Sequence, residues 1–153
     1  MSSELNAQEL RYKIISLLAR REYSRAELSK RLQSQTSDIY VLHSVLDQLA
    51  EDGYQSDYRF TEMFIRNRLG QCYGEARIRY ELRQKGIEEE LVDTILGEFD
   101  PDWFELAKTL ANKRFTLTEN PPAKDYAKCM RYLLNHGFSY DQARESLKRQ
   151  VID

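Results

Sequence analysis

The sequence predicts an all-α fold: three tandem three-helix repeats forming an elongated, curved array. Three observations predict it. Helix formers dominate, and only six Gly and three Pro interrupt the 153 residues. Apolar residues recur at helical spacing along most of the chain. The chain also copies itself at intervals of about 50 residues, the length of a small supersecondary unit.

The copies are in register. Residues 23–32 read YSRAELSKRL and residues 73–82 read YGEARIRYEL. A shift of 50 puts Tyr23 on Tyr73, Ala26 on Ala76, Leu28 on Ile78 and Leu32 on Leu82. A shift of 51 puts Ala76 on Ala127, Ile78 on Cys129, Leu82 on Leu133, and Gly86-Ile87 on Gly137-Phe138. Downstream, Leu42, Val92 and Ala143 are equivalent, as are Leu46, Leu96 and Leu147.

Each repeat reads as three helices. After a tail over 1–6, the first repeat covers 7–55. Leu10, Ile14, Leu17 and Leu18 give an apolar stripe over 7–20. Ser24 and Glu27 form a capping box that opens a second helix through Gln33. Asp38 caps a third, whose stripe is Val41, Leu42, Val45, Leu46 and Leu49, and Gly53 stops it. The second repeat, 56–99, has helices near 57–69, 74–85 and 88–98, with Gly86 closing the middle one. The third repeat, 100–153, opens at Asp100-Pro101 because Pro is tolerated in a first turn. Its first helix carries Trp103, Phe104, Ala107, Leu110 and Ala111, and its last starts at Ser139 with Gln142 three residues on. The connection at 115–123 is longer than its counterparts, which gives the third repeat freedom to swing. Burying one Leu or Ile is worth about 1.5–3 kcal/mol against about 1–2 kcal/mol per ordered backbone residue, so a repeat of this size leans on its neighbours.

The formal net charge of −2 excludes a general polycation. Two cysteines, Cys72 and Cys129, lack any disulfide or zinc pattern and suit a reducing cytoplasm. No signal peptide or membrane span is legible, so the chain is expected in the cytoplasm, off the membrane and as a monomer. Charge is nevertheless sorted by segment. Residues 59–85 hold seven Lys/Arg and three Asp/Glu, whereas 86–105 hold eight Asp/Glu and no Lys/Arg. Residues 32–58 hold five acidic and no basic residues. First and second helices are therefore basic, and the third helices of the first two repeats are acidic. With Ile78 and Leu82 turned inward, Arg77, Tyr80 and Arg83 occupy the open face of the middle helix, and Arg79 its flank. Lys128 and Arg131 fall where Arg77 and Tyr80 stand, and Lys30 also matches Tyr80. Together with Arg25, Arg31, Arg66 and Lys85, these residues make a semi-periodic basic stripe, a grip for a polymeric acidic partner. Tyr and Arg are enriched at interaction hot spots.

At this point the motifs match a known family. YGEARIRYELRQKGI (73–87) resembles the hallmark segment of the RecX family, which usually reads Gly-Pro, an Ile three residues later, then Leu and Lys-Gly-Ile. LLARREYSRAELSKRL (17–32) resembles the family's opening repeat, and LAEDGYQSDYRFTEMFIRNR (49–68) its Gly-Tyr-Leu-Asp-Asp-x-Arg-Phe junction. Glu75 replaces the common Pro, and Gln55-Ser56 the common Leu-Asp. The resemblance implies tandem three-helix repeats in a curved rod. It also implies docking in the groove of the RecA–DNA filament across neighbouring subunits, limiting filament growth, ATPase, strand exchange and coprotease activity. Arg77, Arg79, Arg83 and Lys85 carry over within the matching motif. Arg25, Lys30, Arg31, Arg66, Tyr80, Lys128 and Arg131 are proposed from charge and position.

Catalysis, cofactors and metals find no support. His43 and His136 stand in different repeats, away from both cysteines, and the Gly70–Gly74 stretch lacks a P-loop ending. Cys129 falls at a core position, Cys72 sits in an interhelical turn, and Trp103, Phe60 and Phe64 read as core aromatics. Two rival readings are a helix-turn-helix-like DNA-binding protein and a helical-repeat scaffold for another protein. Asp38, Asp47, Glu51 and Asp52 in one third helix, and Glu88, Glu89, Glu90 and Asp93 in another, oppose insertion beside phosphates. Auxiliary non-specific DNA contact through the basic helices is compatible with this charge pattern.

Overall fold

A computed structural model of the chain describes residues 4–117 and 120–148. Among them nine α-helices form and no strand does: α1 (Ala7–Leu18), α2 (Arg25–Leu32), α3 (Ile39–Glu51), α4 (Asp57–Gly70), α5 (Glu75–Gln84), α6 (Glu89–Phe99), α7 (Trp103–Arg114), α8 (Ala123–Asn135) and α9 (Tyr140–Leu147). A single 3-10 turn, Gln33–Gln35, follows α2. The order is that of three successive three-helix repeats. Residues 1–3 of the expected tail, Thr118 and Glu119 of the long connection, and 149–153 lie outside the described residues.

The helix starts follow from side-chain chemistry. Ser24 accepts from the Glu27 amide while Glu27 accepts from the Ser24 amide, and Ser139 and Gln142 do the same for α9. Asn6 and Glu9 form a third such box at α1, one that the sequence reading did not identify. Asp38 accepts from the amides of Tyr40 and Val41 to open α3. Each cap satisfies amides that have no partner within the helix and is worth about 0.5–2 kcal/mol. At the other end, Gly53, Gly86 and Gly137 all take positive φ. The residue after each glycine then folds back: Tyr54 donates to Leu49, Ile87 to Leu82 and Phe138 to Leu133. This is the αL stop that glycine adopts without steric penalty.

The third repeat departs from expectation at its start. Pro101 precedes the helix rather than sitting in its first turn, and Asp102 is the cap, accepting from the Glu105 amide. Phe104, which the helix also carries, is 49% exposed. Trp103 is half-buried against the core of its unit.

Contacts divide the chain into two compact units: Met1–Phe64 with Leu82–Ile95, and Ile65–Glu81 with Leu96–Asp153. In the first, Leu10, Ile14, Leu28, Leu32, Leu42, Leu46 and Leu49 of α1, α2 and α3 close a fully buried core. In the second, Ala107, Leu110, Ala111, Met130, Leu133, Phe138 and Ala143 form the counterpart, and Cys72 joins it. The repeat equivalences survive as burial: Leu28, Ile78 and Cys129 are buried, as are Leu32, Leu82 and Leu133.

The junction segment carries three separate jobs in the first unit. Asp57 accepts from the Arg25 amide at the start of α2 and from the buried side chain of Gln55, which also reaches the Tyr23 carbonyl. Arg59 donates to the carbonyls of Gly53 and Tyr54 and pairs with Glu22. Phe60 is buried beside Phe64, with ring centroids 5.8 Å apart.

Candidate partner-binding surface

The middle helices α2, α5 and α8 each bury two repeat-equivalent positions, and α8 also buries Met130, while their cations lie on the surface. On α5, Ile78 and Leu82 are fully buried, and Tyr80 is 55% exposed. Arg77 and Arg83 are also exposed, and Arg79 lies half-buried at the flank. The expected inward and outward faces are those observed.

The candidate cations fall into two groups. The first group is committed within the molecule. Arg25 pairs with Asp47 at 2.7 Å and donates to the His43 carbonyl. Arg79 pairs with Glu75 at 2.8 Å, one turn earlier on α5. Arg77 donates to the Asn135 carbonyl at 3.2 Å, stands 5.3 Å from the centre of the Tyr73 ring, and lies 3.7 Å from Glu81. Lys85 meets Glu27 at 3.0 Å. Arg66, exposed on α4, lies 5.5 Å from the centre of the Phe99 ring. The second group consists of Lys30, Arg31, Arg83, Lys128 and Arg131. All five are exposed, and none pairs with an acidic side chain among the described residues.

Charge alone could not separate these groups. Arg68, outside the expected set, is also committed, bonding Glu81 at 2.8 Å.

The Glu27 carboxylate shows how a pair is held. Partial burial opposes its ionisation, but the Ser24 amide, the Lys85 ammonium and the Arg21 charge outweigh that and hold its pKa below the ordinary value of 4.5. Cys129 behaves oppositely. Burial, reinforced by Asp125 and partly offset by Lys128, raises its thiol pKa.

A second set of residues, which the sequence reading did not single out, joins successive middle helices. In the first unit the Ser24 hydroxyl donates to the Lys85 carbonyl at 2.8 Å, and Gly86 lies against the Ala26 methyl. In the second unit the Gly74 amide donates to the His136 carbonyl at 2.7 Å and the Ala76 amide to Gly137 at 3.1 Å. Tyr73 stacks on His136, which stacks in turn on Tyr132. The signal visible in the sequence is the Gly86–Gly137 equivalence, where Gly86 on its own marks only a helix stop.

Among the described residues no cluster of His, Cys, Asp and Glu could hold a metal ion, and no helix is long and apolar enough to cross a membrane.

Comparison with known proteins places this arrangement. A family model for the second three-helix domain of RecX matches residues 56–96, and one for its third three-helix domain matches 100–147. Regulatory protein RecX of Chromohalobacter salexigens is 41% identical over 133 residues, covering 87% of this chain and 87% of that protein. Its counterpart in Haemophilus influenzae is 37% identical over 131 residues, covering 84% and 86%. The crystal structure of RecX from Lactobacillus salivarius shares the fold at TM-score 0.76 and 20% identity, over 93% of this chain and 94% of that one. A second crystal structure, of regulatory protein RecX, gives a TM-score of 0.71 at 25% identity over 90% of this chain and 71% of the other. With two family models covering more than half its length and relatives above 30% identity over more than four fifths of both chains, this chain belongs to the RecX family of regulatory proteins.

Proposed function

We propose that the chain restrains the RecA recombinase, docking in the groove of the RecA–DNA filament across neighbouring subunits. It thereby limits filament growth, ATP hydrolysis, strand exchange and coprotease activity. One observation supports the reading: Lys30, Arg31, Arg83, Lys128 and Arg131 recur on the outer faces of the three middle helices with no acidic partner among the described residues. Lys30, Tyr80 and Arg131 even share one repeat position. A cation left unpaired keeps its full charge for a partner, and cations repeated from unit to unit gain multivalent strength on a polymer with a matching repeat. The chain acts as a cytoplasmic monomer without catalytic groups or cofactors, by occupying the groove.

Co-sedimentation at near-physiological ionic strength tests this. The chain pellets with RecA–DNA filaments and remains in the supernatant with free RecA. Equal retention by both, or none by filaments, contradicts the reading. Auxiliary DNA contact through the same cations is read separately on DNA alone: neutralising about 6–10 phosphates would cost roughly 10³–10⁵ in affinity between about 50 and 200 mM salt.

A further inference from the structure

The two middle-helix junctions use the same four repeat positions with different chemistry. Ser24 corresponds to Gly74, Glu27 to Arg77, Lys85 to His136, and Gly86 to Gly137. In the second unit the carbonyls at the end of α8 take hydrogen bonds directly from the start of α5: His136 from the Gly74 amide, Gly137 from Ala76, and Asn135 from the Arg77 guanidinium. In the first unit the α5 end meets α2 through side chains instead. The Ser24 hydroxyl reaches the Lys85 carbonyl at 2.8 Å, and the Glu27 carboxylate holds the Lys85 ammonium at 3.0 Å. Both arrangements satisfy helix-terminal groups that lack partners within their own helix. Both bring a positive-φ glycine so close to the preceding middle helix that a methyl group there would overlap Ala26 or Arg77.

Glu27 suits this role beyond its charge. Only 14% of its side chain is exposed, and its carboxylate also serves the capping box of α2, so its position is set from within α2. The Lys85 side chain, 39% exposed, spends its ammonium on that fixed carboxylate. Lys30 and Arg31 stand in the last turn of α2, and Arg83 lies two residues before Lys85. All belong to the first unit.

We infer that Glu27 and Lys85 are positioning residues: their pair sets the α2–α5 junction, and with it the spacing of Lys30 and Arg31 relative to Arg83. Lys85 is thereby removed from the set of partner contacts that its motif suggests. This inference rests on the filament reading for its functional consequence, while the junction itself is independent of it.

A double-mutant cycle separates the two. Glu27→Gln keeps an acceptor for the Ser24 amide, so the capping box persists while the pair with Lys85 loses its charge. Lys85→Met keeps the aliphatic stem. RecA ATP hydrolysis on single-stranded DNA is titrated with the full-length chain and its variants, and thermal midpoints are measured alongside. In the native background Lys85→Met weakens inhibition about three- to fivefold; in the Glu27→Gln background it adds nothing, because the two residues act as one unit. Lys85→Arg retains inhibition. The thermal midpoints show the same non-additivity. An equal loss from Lys85→Met in both backgrounds would make Lys85 a direct contact and overturn the inference, as would no loss in either. Should the native chain fail to inhibit at all, the filament reading falls and the thermal cycle decides the junction, where additive losses reject it.

Discussion

The backbone amide of Ala76, in the first turn of α5, donates to the carbonyl of Gly137 just beyond the end of α8, across 3.1 Å and 61 residues of sequence. That contact is available only because Gly137 has no side chain. At its φ of +100° a Cβ would press into the Cβ of Arg77 and come within 2.5 Å of the Arg77 amide nitrogen.

Gly137→Ala should therefore destabilise the chain by about 2–4 kcal/mol, combining left-handed backbone strain with overpacking. Gly53 provides the control. It shares the positive φ, at +85°, but a Cβ there meets nothing within 4 Å. Gly53→Ala should cost only about 1–2 kcal/mol, the backbone term alone. Urea unfolding of both variants measures the difference; equal losses would mean that the close approach at Gly137 carries no weight.

Ile78 is fully buried and repeat-equivalent to Leu28 and Cys129. Ile78→Ala should cost about 2–5 kcal/mol as a core truncation. Phe104→Ala removes a larger side chain, but one left 49% exposed on α7, and should cost less than about 1 kcal/mol. Thermal denaturation ranks the pair, and the reverse order would contradict the assigned faces.

The depressed Glu27 pKa gives stability a direction in pH. Its stabilising contribution is fully present above the ordinary value of 4.5 and is lost as pH falls through the lower folded value. Asp52, held down by hydrogen bonds from Arg11 and Gln48, acts in the same sense. Urea midpoints followed from about pH 6 to about pH 3 should show the native chain losing its advantage over Glu27→Gln on the acid side. A constant gap between the two across that range would show that the carboxylate is not held down in the folded state.

Cys129 is buried in α8 with its thiol pKa raised, and Cys72 is buried at the α4–α5 turn. Ellman's reagent at mildly alkaline pH should modify neither thiol in the native chain, and both once urea unfolds it. Rapid labelling of the folded protein would contradict the burial of both thiols.

The helices and their caps were legible because the signals are local. Ser24 with Glu27, Asp38, and Ser139 with Gln142 sit within one turn of the amides they satisfy. Burial of Leu28, Ile78 and Cys129 followed from periodicity and repeat register alone. The start of α7 differs from expectation because Pro101 offers a first-turn signal as strong as the Asp102 cap beside it. The candidate surface was legible only in outline. Charge placed cations on the middle helices, yet whether a given guanidinium is free depends on groups far away in sequence. Arg77 reaches a carbonyl at Asn135, and Lys85 a carboxylate at Glu27, both 58 residues distant. No local pattern encodes that division.

The most direct test of the central claim is RecA ATP hydrolysis on single-stranded DNA, titrated with the native chain and with a charge-reversed variant, Lys30→Glu with Arg131→Glu. These two cations occupy one repeat position on α2 and α8 and have no acidic partner among the described residues. The native chain should suppress hydrolysis, and the variant should need at least about tenfold more protein for the same effect while keeping its helical content. Unchanged potency in the variant, or no suppression by the native chain, would contradict the claim that unpaired cations repeated on the middle helices grip the filament.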